Sequence, residues 1–348
     1  MRGVGGFRSH FAVIFMQVLV VDDDKIIRLT LGALLSENGY EVFTATNGVE
    51  GFEVLKKNPS CRAVISDWEM PLMNGVEFCK AVRNLGHQGY VYFLLLTSHK
   101  EINEMVEGLS AGADDFISKP YNPAEVLARL RAGERVLALE TRDVAIFALA
   151  KLAESRDSDT GEHLERVQYY CQALCQQLAT QEKYKEVINT DYAQLMFQTS
   201  PLHDIGKVGI PDAILLKPGR FTPEEYAIMK GHTTIAAQTL DAALKKFPGV
   251  AFLKMAKEIA ESHHEKVDGT GYPYGLKGDD IPLCGRIMAV ADVYDALVSQ
   301  RVYKPAHTHE EAKAIIEEGS GTHFDSDIVD AFRAVESEFL EVLRRFAS

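Results

Sequence analysis

The segment VLVVDDD, residues 18–24, decides the fold of the first half of the chain. Its four consecutive apolar residues are enough for a short buried strand, and three aspartates follow at once. A helical pattern then begins, so the segment opens a strand–helix unit. Further units of the same kind follow until about residue 135. Short apolar strands that alternate with helices predict an α/β domain with a doubly wound, five-stranded parallel sheet.

The strands and helices of this domain can be bounded from apolar runs and turn residues. The predicted strands are Gln17–Val21, Glu41–Ala45, Ala63–Ser66, Val91–Leu96 and Phe116–Ser118. The predicted helices between them are Lys25–Asn38, Val49–Lys57, Val76–Leu85 and Ile102–Ala111. A last helix is expected to start near Pro123 and to continue past Arg135, because turn residues are scarce before Ser155.

Composition limits the function classes. The 348 residues are 46% hydrophobic and 25% charged, which is ordinary for folded protein and excludes wholesale disorder. With 50 acidic and 37 basic side chains the net charge is −13, which argues against DNA as a partner. No apolar run approaches the roughly 20 residues that span a bilayer, so membrane insertion is not expected. Five cysteines without paired spacing indicate reduced thiols and a cytoplasmic protein.

The second half of the chain has a different pattern. From about Thr141 long helical periodicities dominate and alternation of period two is nearly absent, which predicts an all-α domain. The predicted organisation is a disordered leader or misassigned start at 1–15, a first domain at 16–134, a helical linker at 135–155 and a second domain at 141–348.

Acidic residues collect where the predicted strands end. Asp22 and Asp23 follow the first strand, and Asp67 follows the third. Thr97 lies at the end of the fourth strand, and Lys119 follows the fifth. The carboxyl ends of parallel strands meet at one edge of a sheet, so these groups should lie together. Clustered carboxylates need a hard cation with oxygen ligands, and Mg²⁺ is the expected ion. One carboxylate would remain free to attack phosphorus.

This half resembles the receiver domain of bacterial two-component response regulators. The matching segments are VLVVDDD, ISDWEMPLMNG, LLLTS and GADDFISKP. The resemblance implies that Asp67 accepts a phosphoryl group from a cognate sensor histidine kinase and that Asp22 and Asp23 bind Mg²⁺. It makes Thr97 and Lys119 the switch pair, and Phe116 the aromatic residue that moves with Thr97.

Histidines and aspartates form a second constellation in the helical half. His203-Asp204 precedes Lys207, His263-His264 precedes a Gly-rich loop, and Asp292 lies further along the chain. Imidazole and carboxylate ligands together suit Fe, Mn, Ni or Zn, and one carboxylate can bridge two ions. Such an ion pair activates water for displacement at phosphorus. The residues thus point to metal-dependent phosphoryl hydrolysis.

This half resembles the HD-GYP phosphodiesterases, a branch of the HD hydrolases. The matching segments are SRDSDTGEHLERV, HDIGKVGIPDAILLKPG, HHEKVDGTGYPYGLKG and ADVYDALVSQRVYK. Members of that family hydrolyse cyclic di-GMP to the linear dinucleotide pGpG and sometimes onward to GMP. Two or three divalent ions are expected at this site, Fe or Mn first and Ni or Zn as alternatives. The ligands that the resemblance implies are His163, His203, Asp204, His232, His263, His264 and Asp292.

Other residues have roles that the resemblance leaves less defined. Asp159 stands where some relatives hold a third metal with glutamate, so two versus three metals is open. Lys207 is expected to stabilise phosphate charge, and Arg301 and Lys304 resemble a second phosphate-contacting pair. Tyr272 either contacts guanine or shapes its loop. Glu265 and Asp268 are expected to orient ligand histidines from outside.

Three alternatives to a phosphorylation-controlled cyclic di-GMP phosphodiesterase stay open. One is hydrolysis of another cyclic dinucleotide such as 3′,3′-cyclic GMP-AMP, because contacts to the bases are not legible in the sequence. Another is a non-catalytic signalling adaptor. The third, a DNA-binding regulator, is disfavoured because the sequence has no basic helix-turn-helix segment and a net charge of −13. A homodimer is expected to form through the long helix that joins the two halves.

Overall fold

The computed structural model describes residues 16–84, 89–98, 102–156, 162–299 and 306–346. The leader expected at residues 1–15 lies outside these ranges. The chain divides into two compact units, Met1–Arg142 and Asp143–Ser348. The boundary between the units falls inside one helix, Pro123–Glu154.

A five-stranded sheet forms the first unit. Its strands β1 to β5 are Gln17–Val21, Glu41–Ala45, Cys61–Asp67, Tyr92–Thr97 and Asp115–Ser118. They lie in the order β2-β1-β3-β4-β5, and all neighbouring strands are parallel. The doubly wound parallel sheet that the sequence predicts is confirmed.

Helices connect these strands. α1 to α5 are Lys25–Glu37, Gly48–Lys57, Gly75–Arg83, Ile102–Ser110 and Pro123–Glu154. The N-cap residues of the first three helices are Asp24, Asn47 and Asn74. Their side chains accept backbone N–H groups of the first turn. Because these caps fix where the helices begin, they also fix the loops that carry the acidic residues.

The apolar run of β1 is buried from both sides. Val18 and Val20 pack into one apolar layer, and Leu19 and Val21 pack into the other. All four side chains are fully buried. Alternate residues of a strand point to opposite faces, so a continuous apolar run is what a strand covered by helices on both faces requires.

The second unit is helical, as the sequence predicts. It takes up the end of α5 and continues with α6 to α14: His163–Leu178, Thr190–Thr199, Asp212–Leu215, Pro223–Lys246, Ala251–Ser262, Leu283–Val298, His309–Glu318, Ser326–Ala334 and Glu336–Arg345. Short 3₁₀ segments occur at Ser200–Leu202, Ile205–Gly209 and Gly278–Asp280. In its described part, β pairing is limited to isolated bridges at Asp268–Lys277 and Ser320–Phe324.

Helix α11 runs through the core of this unit. Tyr294 of α11 packs edge-on against Tyr170 of α6, with ring centroids 5.3 Å apart. Tyr170 in turn stacks on Phe339 of α14 at 4.4 Å. These three side chains are fully buried, so α6, α11 and α14 are locked together close to the residues that form the site below.

Helices suited to crossing a membrane are not found within the described ranges. None of the helices there combines the necessary length with an apolar enough sequence.

Candidate active sites

The acidic site of the first unit lies at the carboxyl ends of β1, β3 and β5. Asp22 follows β1 and is fully buried, and Asp67, at the end of β3, is 8% exposed. Lys119 follows β5, and its Nζ lies 3.0 Å from Oδ2 of Asp22 and 2.8 Å from Oδ1 of Asp67. The structure therefore brings these three predicted residues together.

The donor set at this edge fits a magnesium ion. Asp22, Asp23 and Asp67 offer carboxylate oxygens that all lie within 4.8 Å of one another. Burial raises the pKa of Asp67 above its ordinary value, although the hydrogen bond and charge of Lys119 act against the rise. Burial acts to lower the pKa of Lys119, but its hydrogen bonds to Asp67 and Asp22 outweigh that effect and raise it. Lys119 is therefore a permanent cation beside the expected phosphoacceptor.

The two other residues predicted for this site lie on β4 and β5. Thr97 ends β4 and is buried, and its carbonyl accepts the backbone N–H of Lys119 at 2.7 Å. Phe116 is partly buried and packs on the apolar layer that contains Leu19 and Val21. This backbone hydrogen bond continues the β4–β5 ladder and places Thr97 next to the Lys119 loop.

The histidine and aspartate site draws on separate elements of the second unit. His163 begins α6, His203 and Asp204 lie in the turn before Ile205–Gly209, and His263 and His264 follow α10. His232 and Asp292 come from α9 and α11. Within each of two groups, the candidate ligand atoms lie within 4.8 Å of one another: Asp204, His232, His263 and His264 form one, and His163, His203 and Asp292 form the other.

Asp204 stands between the two groups and turns one oxygen toward each. Its Oδ2 lies 3.4 Å from Nε2 of His203. Its Oδ1 lies 3.1 Å from Nε2 of His232 and 3.6 Å from Nε2 of His263. On the other side of His203, Oδ1 of Asp292 lies 3.8 Å from the same Nε2. A carboxylate in this position is able to bridge two metal ions, one in each group.

Backbone carbonyls set the orientation of three histidine rings. Nδ1 of His203 lies 2.9 Å from the carbonyl of Ser200, and Nδ1 of His232 lies 2.8 Å from that of Met229. His263 makes the same contact to Ile259 at 3.1 Å. A carbonyl only accepts, so Nδ1 of each ring donates a proton. At His232 and His263 this leaves Nε2 with its lone pair.

The lone pairs freed in this way converge on one point. Nε2 of His232, Nε2 of His263 and Oδ1 of Asp204 are buried atoms to which the structure gives no hydrogen-bond partner. Buried polar atoms normally have partners, and three orphaned acceptors that face one another are the signature of a cation site. The residues present therefore fit a metal ion.

At His263 and His264, burial also favours the uncharged histidine that a metal needs. At His163, burial acts to lower the pKa, but the hydrogen bond and charge of Asp295 outweigh it and raise the pKa to about 9. The pKa of His264 is held well below its ordinary value, first by burial and then by the charge of His263. Burial lowers the pKa of His263 as well, although Asp204 acts against the shift. Neutral imidazole is the metal-binding form, so no proton must be displaced from these two rings at neutral pH.

Lys207 lies beside the carboxylate that joins the groups. Its Nζ is 2.8 Å from Oδ2 of Asp204, and 16% of its side chain is exposed. Burial acts to raise the pKa of Asp204, but the charges of Lys207 and His203 outweigh it and hold the pKa well below its ordinary value. Asp204 is therefore ionised, and Lys207 adds a fixed positive charge next to it.

Gly206 allows the Asp204 turn to approach α9. A Cβ atom at residue 206 would lie 1.9 Å from the carbonyl oxygen of His232 and 2.9 Å from the backbone nitrogen of Ala236. No side chain fits there. The glycine after the His203-Asp204 pair is thus what lets Asp204 reach His232.

Asp295 is part of the site although it is not among the residues that the sequence predicts. Its Oδ2 accepts a 2.7 Å hydrogen bond from Nδ1 of His163, and Arg166 pairs with both of its oxygens. Asp295 lies one helical turn after Asp292 on α11, so both carboxylates point toward His163. The three-residue spacing between the two aspartates was the available signal.

The prediction that Glu265 and Asp268 orient ligand histidines is wrong. Glu265 is buried and accepts backbone N–H groups of Tyr274, Gly275 and Leu276 at 2.7, 3.2 and 3.0 Å. Asp268 instead accepts the backbone N–H of Thr270 at 2.8 Å. These three charge-assisted hydrogen bonds assign Glu265 to the conformation of the Gly-rich loop.

Tyr272 reaches the metal-ligand group from that loop. Its ring stacks on His264 with centroids 4.7 Å apart and an interplanar angle of 28°. The remaining predicted site residues, Asp159, Arg301 and Lys304, lie outside the described residues.

Two family profiles match this chain. The HD domain profile matches residues 148–328, and the response regulator receiver domain profile matches residues 18–131. Together they cover both of the units seen in the structure.

Three relatives illustrate what the chain is similar to. A probable cyclic di-GMP phosphodiesterase of Vibrio cholerae is 40% identical, over 95% of this chain and 80% of that protein. The cyclic di-GMP phosphodiesterase response regulator RpfG of Xanthomonas campestris is 33% identical, over 99% of this chain and 94% of that protein. The 3′3′-cGAMP-specific phosphodiesterase 2 of Vibrio cholerae is 39% identical, over 58% of this chain and 36% of that protein.

Proposed function

Because the chain belongs to the HD domain family and joins that domain to a response regulator receiver domain, we propose that it is a metal-dependent phosphodiesterase that hydrolyses cyclic di-GMP to pGpG. Phosphorylation of Asp67 by a sensor histidine kinase would control the hydrolysis. We infer the substrate from two relatives that match nearly the whole chain and are named as cyclic di-GMP phosphodiesterases, one of them as a probable one. Further cleavage of pGpG to GMP is part of the same proposal.

The position of Asp204 is the observation that carries this function. Its two oxygens face histidines of different groups, at 3.4 Å for His203 and 3.1 Å for His232. A packing role for a carboxylate would not require unpartnered Nε2 atoms around it. A non-catalytic adaptor would have no need to keep all seven ligands in two converging groups.

The residues of this chain would share the work of hydrolysis. A pair of divalent ions, when bound, supplies an activated water and positive charge for the phosphate. Asp204 and the histidines would hold that pair, which we expect to be Fe or Mn rather than Ni or Zn. Lys207, whose Nζ lies 2.8 Å from Oδ2 of Asp204, would offer its ammonium to a nonbridging phosphate oxygen that gains charge in the transition state. Asp295 keeps the His163 ring in one orientation by accepting its Nδ1 proton.

Control by the receiver has one structural support, the continuity of α5. This 32-residue helix begins in the first unit at Pro123 and ends in the second at Glu154. We propose that phosphorylation of Asp67 repacks the face on which Thr97 and Phe116 lie and that α5 carries the change. The receiver domain itself implies a phosphodonor.

We also propose that α5 forms a homodimer contact. Large apolar side chains along it are exposed to water, from 40% for Val136 to 66% for Leu152. Several exposed large apolar side chains on one helix are typical of surfaces that a partner covers. Light scattering of the full-length protein tests this, and a monomer at all concentrations would contradict it.

The function is tested with purified full-length protein loaded separately with Mn²⁺ and Fe²⁺. Each preparation is incubated with cyclic di-GMP and with 3′,3′-cyclic GMP-AMP, and the products are separated by chromatography. The proposal is supported if cyclic di-GMP is cleaved to pGpG with a higher kcat/KM than 3′,3′-cyclic GMP-AMP is cleaved. Faster cleavage of cyclic GMP-AMP would favour the second substrate, in keeping with the relative that is specific for it. No cleavage of either substrate would favour the adaptor.

The state of the cysteines bears on the cellular location of the protein. All five cysteines are free and buried. Reduced thiols are typical of cytoplasmic proteins, so we propose that the protein is cytoplasmic.

A further inference from the structure

A lysine and two tyrosines meet at the edge of the candidate metal centre. Nζ of Lys230 lies 5.3 Å from the ring centroid of Tyr226 and 5.7 Å from that of Tyr272. The two tyrosine rings contact edge to face at 6.2 Å. Tyr226 and Lys230 are one helical turn apart near the start of α9, and Tyr272 comes from the Gly-rich loop. None of these contacts is needed to hold a ligand histidine.

The rings lead outward from the metal-ligand group. Tyr272 stacks on His264 at 4.7 Å, and His264 belongs to the group that Asp204 faces. Tyr226 lies beyond Tyr272 and is 46% exposed. A nucleotide whose phosphate sits among the ligands carries its base one sugar away, so its base would reach this exposed aromatic side chain.

The ammonium of Lys230 faces aromatic rings rather than a carboxylate. No ion pair to Lys230 is formed within the described residues, and its ammonium lies over two aromatic faces instead. The nearby Glu225 is already paired with Lys217 at 2.5 Å. A half-buried ammonium over π faces keeps its three N–H donors available for another acceptor.

We propose that Tyr226 and Lys230 recognise one guanine base of the substrate, an inference that rests on the proposed function. Tyr226 stacks against the base, and Lys230 donates to O6 and N7. Guanine offers two acceptors on that edge, whereas adenine offers N7 beside an N6 amino donor. An ammonium donor therefore favours guanine over adenine. The pair selects the base, and the metal centre acts on the phosphate.

The test uses the full-length, Mn²⁺-loaded protein with cyclic di-GMP as substrate and cyclic di-AMP as competitor. The variants are Tyr226→Ala, Tyr226→Phe and Lys230→Met. The control is Lys254→Met, because Lys254 lies on α10 with its side chain 74% exposed. Melting temperature and metal content are measured for each variant, so that loss of fold or of metal is seen separately.

Tyr226→Ala should raise KM for cyclic di-GMP about tenfold with kcat within a factor of two, because base–aromatic stacking supports binding. Tyr226→Phe, which keeps the ring, should restore the wild-type KM. Lys230→Met should raise KM for cyclic di-GMP about tenfold and the inhibition constant of cyclic di-AMP no more than about twofold, since guanine loses two acceptor contacts and adenine only the one at N7. The control variant should match the wild type.

Three results would overturn the inference. One is an unchanged KM in both Tyr226→Ala and Lys230→Met. Another is an equal rise of KM for cyclic di-GMP and of the inhibition constant for cyclic di-AMP in Lys230→Met, which would assign Lys230 to the phosphates. The third is a loss of kcat at constant KM. If the wild-type protein hydrolyses no cyclic dinucleotide, the proposed function fails instead.

Discussion

Asp295 and His163 are joined by a buried hydrogen bond of 2.7 Å between Oδ2 and Nδ1. The same carboxylate pairs with Arg166, whose Nε lies 2.7 Å from Oδ1 and whose Nη2 lies 2.8 Å from Oδ2. One side chain thus orients a candidate metal ligand and neutralises a buried guanidinium. Function and stability are coupled at this point of the core.

Replacing Asp295 should affect both the stability of the protein and the binding of metal. Asp295→Asn leaves the Arg166 charge buried without its counter-ion, which typically costs about 3–5 kcal/mol of unfolding free energy. It should also weaken metal binding or activity about 10–100-fold, as removal of partners of ligand histidines does. Urea denaturation and metal titration measure the two effects.

The matched control is Asp330→Asn, because Asp330 is 64% exposed and pairs with Arg333 on the surface. Such an exposed pair contributes about 1 kcal/mol or less. Equal stability of the two variants would contradict the role of Asp295.

Two glycines allow a test of the close approach between the Asp204 turn and α9. Gly206→Ala places a Cβ 1.9 Å from the His232 carbonyl, so the turn must move away and carry Asp204 with it. Loss of most activity together with a lower melting temperature is expected. Gly231→Ala is the control. Gly231 lies on α9, and a Cβ atom there would meet nothing within 4 Å.

Alanine is the better helix former, so Gly231→Ala should raise unfolding free energy by up to about 1 kcal/mol. Destabilisation by both substitutions, or by neither, would contradict the packing described for Gly206.

Lys207→Ala should reduce kcat while the metals stay bound. An ammonium is a donor and not a metal ligand, and loss of one such charge contact typically lowers kcat about 10²–10³-fold. Metal analysis and steady-state kinetics check both parts, with the exposed Lys254→Ala as control. Kinetics equal to the wild type would assign Lys207 to the solvated surface.

The sheet was predictable because its signals are local. The run at Val18–Val21 is apolar throughout, and a strand that is covered on both faces needs such a run. Bounds shifted by one or two residues, as at β3, which starts at Cys61 rather than Ala63, because the charged Arg62 interrupts the apolar run there. The strand order was not readable, since it depends on contacts between distant segments.

The ligand set was predictable from residue type, but its supporting contacts were not. Histidines next to acidic residues stand out in a sequence, whereas the carbonyls that orient His203, His232 and His263 belong to ordinary residues. Asp295 escaped notice because its effect depends on α6 packing against α11. Glu265 was assigned to the wrong partner, since the loop that wraps around it forms only in the folded chain.

Phosphorylation of Asp67 should change phosphodiesterase activity. Beryllofluoride with Mg²⁺ mimics the phosphoryl group at Asp67, which lies 2.8 Å from Lys119. Coupling between two sites typically amounts to about 1–3 kcal/mol, so kcat/KM should change about 5–150-fold. Activity and association state are measured with and without the mimic, and Asp67→Asn should not respond. If neither the activity nor the association state of the wild-type protein changes with beryllofluoride, the receiver is not a switch and a docking role is favoured.

The most direct test of the central claim is metal content and pGpG formation in Asp204→Ala. The claim is that Asp204 joins two metal groups, with 3.4 Å from its Oδ2 to His203 and 3.1 Å from its Oδ1 to His232. The variant should lose metal and form no pGpG while the receiver still folds and binds beryllofluoride, and Asp330→Ala should behave as wild type. Full metal content with retained turnover in Asp204→Ala would contradict the claim.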